Sequence, residues 1–300
     1  MQYLAQEVTS FTLSNVSEAS LDWSAGTSYT VGTLVVHGIN VYKCVSAHVG
    51  KNPIEFLNIF WVKWAVSNRF AMLDASSQTK SFVSAGNLVV EFMQGSISTI
   101  ALGNYEASYA TIQILGTDST TVLWSYSTPS TTTSNVTTSS YYSYIYDSYT
   151  DTLAQSIKVD LPLRGYKIRV TFVLDTGATR TACGYLYGGV PVSMGQTLFG
   201  VSFRYNSFAI KETDSFGTLS IIKRAVQDII DFETIIASNT LIATRKRVKL
   251  VYDTVVLFIL DESNTSVYEN MLTLGVIESV STVLANPTIT TLTWSIVEGI

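Results

Sequence analysis

Trp61-Val62-Lys63-Trp64-Ala65-Val66-Ser67-Asn68-Arg69-Phe70-Ala71-Met72-Leu73-Asp74 is the stretch that divides this chain. A short aromatic-rich piece ends in it, and a long β-patterned region begins after it. Two tryptophans followed by Asn-Arg-Phe leave almost no slack for a flexible linker, so the stretch reads as a rigid joint.

On its N-terminal side, residues 19–65 hold Trp23, Tyr29, Tyr42, Trp61 and Trp64, a dense set for so short a piece. Residues 34–45 read as two strands joined by a tight turn, with Gly38 and Asn40 as the turn residues because a positive φ costs little there. Gly50-Lys51-Asn52-Pro53 marks a second turn. Below about 70 residues a core is marginal, so large aromatics must carry it. Those rings are either the core of a docking module or a stacking platform for a glycan. Residues 1–18 are polar and aperiodic. They read as an arm that is ordered only if a neighbour holds it.

On the C-terminal side, residues 66–195 read as a β-sandwich or jelly roll. Strands are expected at 87–93, 97–102, 108–114, 121–126, 154–161 and 166–173, with turn signals between them. Tyr109-Ala110-Thr111-Ile112-Gln113-Ile114-Leu115 alternates as a strand with one wet face should. A long polar Ser/Thr-rich loop then leads into Tyr141, Tyr142, Tyr144, Tyr146 and Tyr149. Tyrosine offers large contact area at low entropy cost. This segment is either a partner-binding loop or a hairpin packed on the sandwich.

Residues 196–300 form a third unit. Strands are expected at 197–201 and 207–213, with a hairpin turn at 214–218 and β pattern continuing over 219–236. Ser238-Asn239 reads as a helix N-cap, followed by one amphipathic helix over 240–251 with Leu241, Ile242, Val248 and Leu250 inward. Arg245, Lys246, Arg247 and Lys249 form a basic cluster toward its C-terminal half, where cations suit the helix dipole. Strands at 255–260, 272–281 and 288–297 complete the sheet. The fold class is therefore mainly β: a small aromatic β module, a β-sandwich or jelly-roll domain, and a C-terminal β-rich domain with one helix.

Of the 300 residues 47% are hydrophobic, ample for packed cores, but only 14% are charged, against about 25% in an ordinary soluble domain. Hydroxyl-rich surfaces suit β faces covered by neighbouring subunits, since a charge costs more to bury than a hydroxyl. They equally suit an extracellular type of β protein. A net charge of −5 argues against a nucleic-acid or anionic-membrane surface. With no apolar run of membrane-spanning length, no span is expected, and residues 1–10 carry no secretory signal. Cys44 and Cys183 lie far apart and read as buried thiols, in keeping with synthesis in a reducing cytosol.

No catalytic signature stands out. His37 and His48 both fall in the aromatic module, and Cys44 with His48 lacks the further ligands of a tetrahedral metal site. No nucleophile-elbow, zinc-protease or phosphate-loop motif occurs. The loop carboxylates Asp147, Asp151, Asp175, Asp261 and Glu262 form no pair that spacing alone can place across a groove. A non-enzymatic chain with no cofactor and no metal is expected.

Two resemblances sharpen this. Trp23, Tyr29-Thr30-Val31-Gly32, Leu34-Val35-Val36, Gly38, Val41-Tyr42-Lys43-Cys44 and Trp61 together resemble the type 5/12 chitin- and cellulose-binding modules. The chain departs from that pattern at Thr33, where the family has an acidic residue, and at Val45-Ser46-Ala47, where it has an exposed aromatic. The whole order of arm, aromatic module, Asn68-Arg69-Phe70-Ala71-Met72-Leu73-Asp74, sandwich and β-helix-β unit resembles a class of tailed-bacteriophage structural proteins. The likeness extends to residues 205–217 and 270–275. It implies a virion component of the tail tip or baseplate, made in the host cytoplasm and present in several copies as a homo-oligomeric ring about the tail axis, docking fibres or other phage tail proteins. The alternative it leaves is a receptor- or glycan-binding tail protein that stacks a host-surface glycan on Trp23, Tyr29, Tyr42, Trp61 or Trp64.

Overall fold

Period-2 alternation builds most of this chain. In the strands Tyr109–Leu115 and Lys167–Val173, Ala110, Ile112 and Ile114 and then Ile168, Val170 and Phe172 are all buried. Successive side chains of a strand point to opposite faces, so each set lines one face. A computed structural model describes residues 1–76, 78–128, 155–213, 219–260, 272–283 and 287–299. The tyrosine segment 141–149 and the turn 214–218 lie outside the described residues.

The chain is mainly β, with one α-helix and several antiparallel sheets among the described residues. All six strands expected between residues 87 and 173 are present, their ends shifted by no more than three residues. They form a sandwich. One sheet has five strands in the order Val122–Ser127, Tyr109–Leu115, Lys167–Val173, Leu88–Met93 and Leu13–Ser14. The facing sheet has three, Gln155–Asp160, Thr99–Tyr105 and Tyr185–Gly189. Leu88, Val90, Phe92, Ile112, Val170 and Phe172 meet Ile100, Leu102, Val159 and Leu186 between them.

The second face of the three-stranded sheet is covered as well. Ala101, Tyr185 and Tyr187 pack against Leu257, Ile259 and Leu274 of an eight-stranded sheet. That sheet contains Val256–Ile259, Leu272–Val283, Ile289–Glu298 and Val226–Ala237. Its far face carries Phe258, Ile277, Phe232, Trp294 and Ile296, closed by Val251, Val248 and Leu241 of the helix Leu241–Val251. The layers therefore run from five-stranded sheet to three-stranded sheet to eight-stranded sheet to helix.

The arm 1–18 finds its partners inside the chain. Gln2–Leu4 is a strand of the eight-stranded sheet, paired antiparallel with Val192–Ser193 on one side and Val256–Ile259 on the other. Leu13–Ser14 pairs with Leu88–Met93, and Val8 and Val16 lie in the sandwich core. No neighbouring subunit is needed to hold it. Strands of two and three residues are too short to show a period, while open sheet edges satisfy their backbone groups.

The joint is bonded from both sides. The Glu18 carboxylate accepts from the backbone N–H of Asn68 at 2.9 Å and of Arg69 at 2.8 Å. The Asn68 side chain donates to the carbonyls of Ser17 and Phe82, each at 2.9 Å, and accepts from Phe82 N–H at 2.9 Å. Phe70 stacks on Phe11 with centroids 5.9 Å apart, and Met72 is fully buried in the sandwich core. Asp74 accepts from Thr79 Oγ1 at 2.6 Å and from Ser76 N–H at 2.9 Å.

The helix differs from its expected face. Thr244 and Val251 are buried, with Leu241 and Val248 beside them, whereas Ile242 is 72% exposed and Leu250 77%. At 100° per residue, positions 241, 244, 248 and 251 share one side and 242 and 250 fall on the other. Ser238-Asn239 belongs to a 3-10 turn, Ser238–Thr240, rather than a side-chain N-cap. In the small module the tight turn is Gly38-Ile39, and Asn40 already belongs to the strand Asn40–Cys44, opposite His37. Gly38 has φ +64°, which suits a II′ turn with glycine first. The single strand expected at 207–213 is two, Ser202–Ser207 and Ile210–Thr213.

Within the three-stranded sheet Gly103 stands opposite Tyr185, and a Cβ on Gly103 would sit 2.0 Å from the Tyr185 ring. Gly103→Ala must displace that buried ring. It should destabilise the chain by about 1–3 kcal/mol or more, read as a lowered urea midpoint, while Gly116→Ala in the exposed turn should cost less.

Candidate functional site

The aromatic module is a four-stranded sheet, Leu21–Asp22, Leu34–His37, Asn40–Cys44 and Trp61–Val66. Tyr29, Val35, Tyr42, Cys44 and Trp61 form its core. Trp61 has no exposed surface, and its indole N–H donates to the Lys51 carbonyl at 2.8 Å. Tyr29 stands edge-on to Trp61 at 5.1 Å; its hydroxyl accepts from Ser24 N–H at 2.7 Å and donates to Ser24 O at 3.1 Å. Trp23 is half-buried, edge-on to His37 at 5.3 Å.

Of the five rings proposed as a stacking platform, Tyr29, Tyr42 and Trp61 are thus consumed by the core. Stacking on a sugar needs a ring face open to solvent. Trp64 is 59% exposed, and Lys43 Nζ lies 4.6 Å from its ring centroid. One open ring, partly covered by a cation, is what remains. The reason is size: a sheet this small has no aliphatic interior to spare, so its own rings must fill it.

His48 sits among Tyr29, Phe60 and Trp61, with ring centroids at 5.6, 5.2 and 4.8 Å. Neither ring nitrogen has a hydrogen-bond partner among the described residues. Burial, with the nearby Lys51 ammonium adding to it, holds its pKa below the ordinary 6.5. It is a neutral packing residue. Cys44 Sγ points at the Ser46 carbonyl at 3.1 Å, and Cys44 and Cys183 are both buried free thiols with raised pKa, burial being the main cause.

Elsewhere, no three His, Cys, Asp or Glu side chains converge to hold a metal among the described residues. Asp147, Asp151, Asp261 and Glu262 lie outside them, as do Tyr141, Tyr142, Tyr144, Tyr146 and Tyr149. Asp175 accepts from Thr176 N–H at 2.8 Å.

The last unit also exposes an apolar surface, which composition did not single out. Ser202–Ser207 pairs with Val226–Ala237 along the rim of the eight-stranded sheet, and all six of its residues are exposed. Beyond it, Ile210–Thr213 and Leu219–Ile222 form a two-stranded sheet of their own. Phe199 is 98% exposed, and Phe203, Tyr205, Phe208, Ile221 and Ile222 are exposed with it. A cavity of about 950 Å³ opens beside this wing, lined by Phe199, Val201, Phe203, Ile236, Thr244 and Arg247 among others. Two strands alone are marginally stable in water, and an open strand edge is a template for pairing. The wing therefore leaves apolar side chains and open strand edges in solvent.

Comparison with known protein families, with curated proteins and with solved structures finds no match to this chain.

The histidine sets the sign of one pH effect. Its folded pKa is depressed, so the unfolded chain binds the proton more readily. The contribution is full above pH 6.5 and is lost as the pH falls below it. Urea midpoints followed by tryptophan fluorescence should fall from pH 7.5 to 5.5, and His48→Phe should flatten that fall. Trp61→Ala should cost the module about 3–5 kcal/mol, whereas Trp64→Ala should leave the midpoint nearly unchanged.

Proposed function

We propose that this chain is a non-enzymatic structural component of a tailed-phage tail tip or baseplate, present in several copies and docking other tail proteins. The observation that carries the assembly part is the wing of the last unit. Six large apolar side chains stand in solvent there: Phe203 and Tyr205 on the rim strand, Ile221 and Ile222 on the two-stranded extension, and Phe199 and Phe208 in the turns beside them. Covering such a patch is worth about 25 cal/mol for each Å² of apolar area removed from water. Patches of this kind on a soluble chain mark contact sites. The phage assignment rests on the resemblance of the joint, Asn68 to Asp74, and of the order of units around it.

The joint supports a scaffold role in physical terms. Asn68, Phe70, Met72 and Asp74 each do a structural job, tying the segment that leaves the small module to the arm and to the sandwich. A module fixed in this way presents its outer surface at a set angle. The exposed Leu21, Val31, Ile54 and Ile59 give that surface an apolar character suited to docking a fibre or rim protein. A glycan-binding role has Trp64 as its one open ring, and the burial of Tyr29, Tyr42 and Trp61 weighs against it.

Antibody-gold labelling of particles from an induced or infected culture tests the reading. Label at the distal end of tails is the expected result; unlabelled particles with the protein free in the lysate would overturn it. Replacing Phe203 and Tyr205 with serine should leave the chain folded and sharply lower its incorporation into particles.

A further inference from the structure

The helix Leu241–Val251 carries four cations in a chain whose net charge is −5. Arg247 is engaged, donating to the Ser193 carbonyl at 3.0 Å. Arg245, Lys246 and Lys249 are exposed and have no acidic partner among the described residues. The inward side is set by Leu241, Thr244, Val248 and Val251, and at 100° per residue the point opposite it falls on Lys246. Ile242 and Leu250 flank it, so the Lys246 ammonium lies between two exposed aliphatic side chains, with Lys249 on the far side of Ile242.

The opposite face of the same eight-stranded sheet is covered by the three-stranded sheet at Leu257, Ile259 and Leu274, and beyond that cover it has the complementary composition. Asp231 stands opposite Ser295, and Glu233 opposite Thr293, in the pairing of Val226–Ala237 with Ile289–Glu298. Ser295 Oγ donates to Glu278 Oε2 at 3.0 Å, which brings the third carboxylate onto that face. Arg204 answers Asp231 with two hydrogen bonds of 2.6 and 3.0 Å. Three carboxylates thus face one guanidinium. Glu233 and Glu278 are exposed and make no ion pair among the described residues. Half-buried Ile229, Ile235 and Val297 lie on the same face.

We propose that the chain associates with a second copy of itself, head to tail, the Lys246–Lys249 side of the helix in one copy docking on the Asp231, Glu233 and Glu278 face of the next. A basic surface and an acidic surface on opposite sides of one layer cannot neutralise each other within a molecule. Stacked from copy to copy, each meets its complement, and the aliphatic flanks of both are covered. A contact between two different surfaces is heterologous and repeats, so it builds a ring where the rotation closes. The inference deepens the assembly reading and rests on it by naming a partner, while its test needs no particles.

The test is sedimentation velocity of the full chain over a concentration series at low and high salt. The wild type should associate, and do so more weakly at high salt. Two charge-reversal variants, K246E/K249E and E233K/E278K, should each lose about tenfold or more in association constant. Mixed in equal amounts they should recover it, because each then offers the surface the other lacks. That recovery cannot come from a misfolded variant. A wild type that stays monomeric throughout would sink the proposal, as would association that neither variant weakens or a mixture that fails to recover. Binding of monomeric wild type to phosphatidylserine vesicles, lost in K246E/K249E, would replace it with a membrane surface. None of these results bears on whether gold label is found on tails, so the two ideas fail separately.

Discussion

The three-stranded sheet Gln155–Asp160, Thr99–Tyr105 and Tyr185–Gly189 is buried on both faces, and the rest of the molecule is placed by that condition. A sheet covered twice needs two complementary apolar surfaces. Here Ile100, Leu102 and Leu186 face the sandwich core while Ala101, Tyr185 and Tyr187 face the eight-stranded sheet. Gly103 is where the packing is tightest, because the Tyr185 ring occupies the space a side chain would need. A charge in a layer covered twice needs a partner, and the buried Lys158 of this sheet has one in Asp160, 3.4 Å away.

Threading follows from the same layering. The first residues enter the eight-stranded sheet between Val192–Ser193 and Val256–Ile259, both far along the chain, and residues 13–14 then close an edge of the sandwich. The arm is a strap across both large units. Contacts of such long sequence separation cost closure entropy before they return any pairing energy. The joint at Asn68 adds a second tie, since its side chain bonds residue 17 on one side and residue 82 on the other. Glu18 completes it by satisfying two backbone donors that a turn would leave open.

For function, the distribution of apolar side chains matters more than their number. The aromatic module drew attention because its rings are dense, yet density there is a consequence of small size. Apolar side chains that face solvent lie on the aliphatic outside of that module and, further along, on the rim strand Ser202–Ser207, its two-stranded extension and the outer side of the helix. These segments look ordinary in sequence, since Phe203 and Ile221 are the residues any buried strand would have.

The sequence by itself determined the β class, the six sandwich strands, the aromatic module, the helix before residue 252 and the joint between module and sandwich. Each rests on a local cause: a period of 2, a turn glycine, a dense set of rings, a run without slack. Only the tertiary structure decided which faces are covered. Leu241 and Ile242 are neighbours of similar hydrophobicity, and the sheet beneath the helix puts one inside and the other out. It also decided that the arm joins the last sheet, and that cations and carboxylates lie on opposite sides of one layer. Burial and proximity across a sheet are set by partners far away in the chain, and no local pattern encodes them.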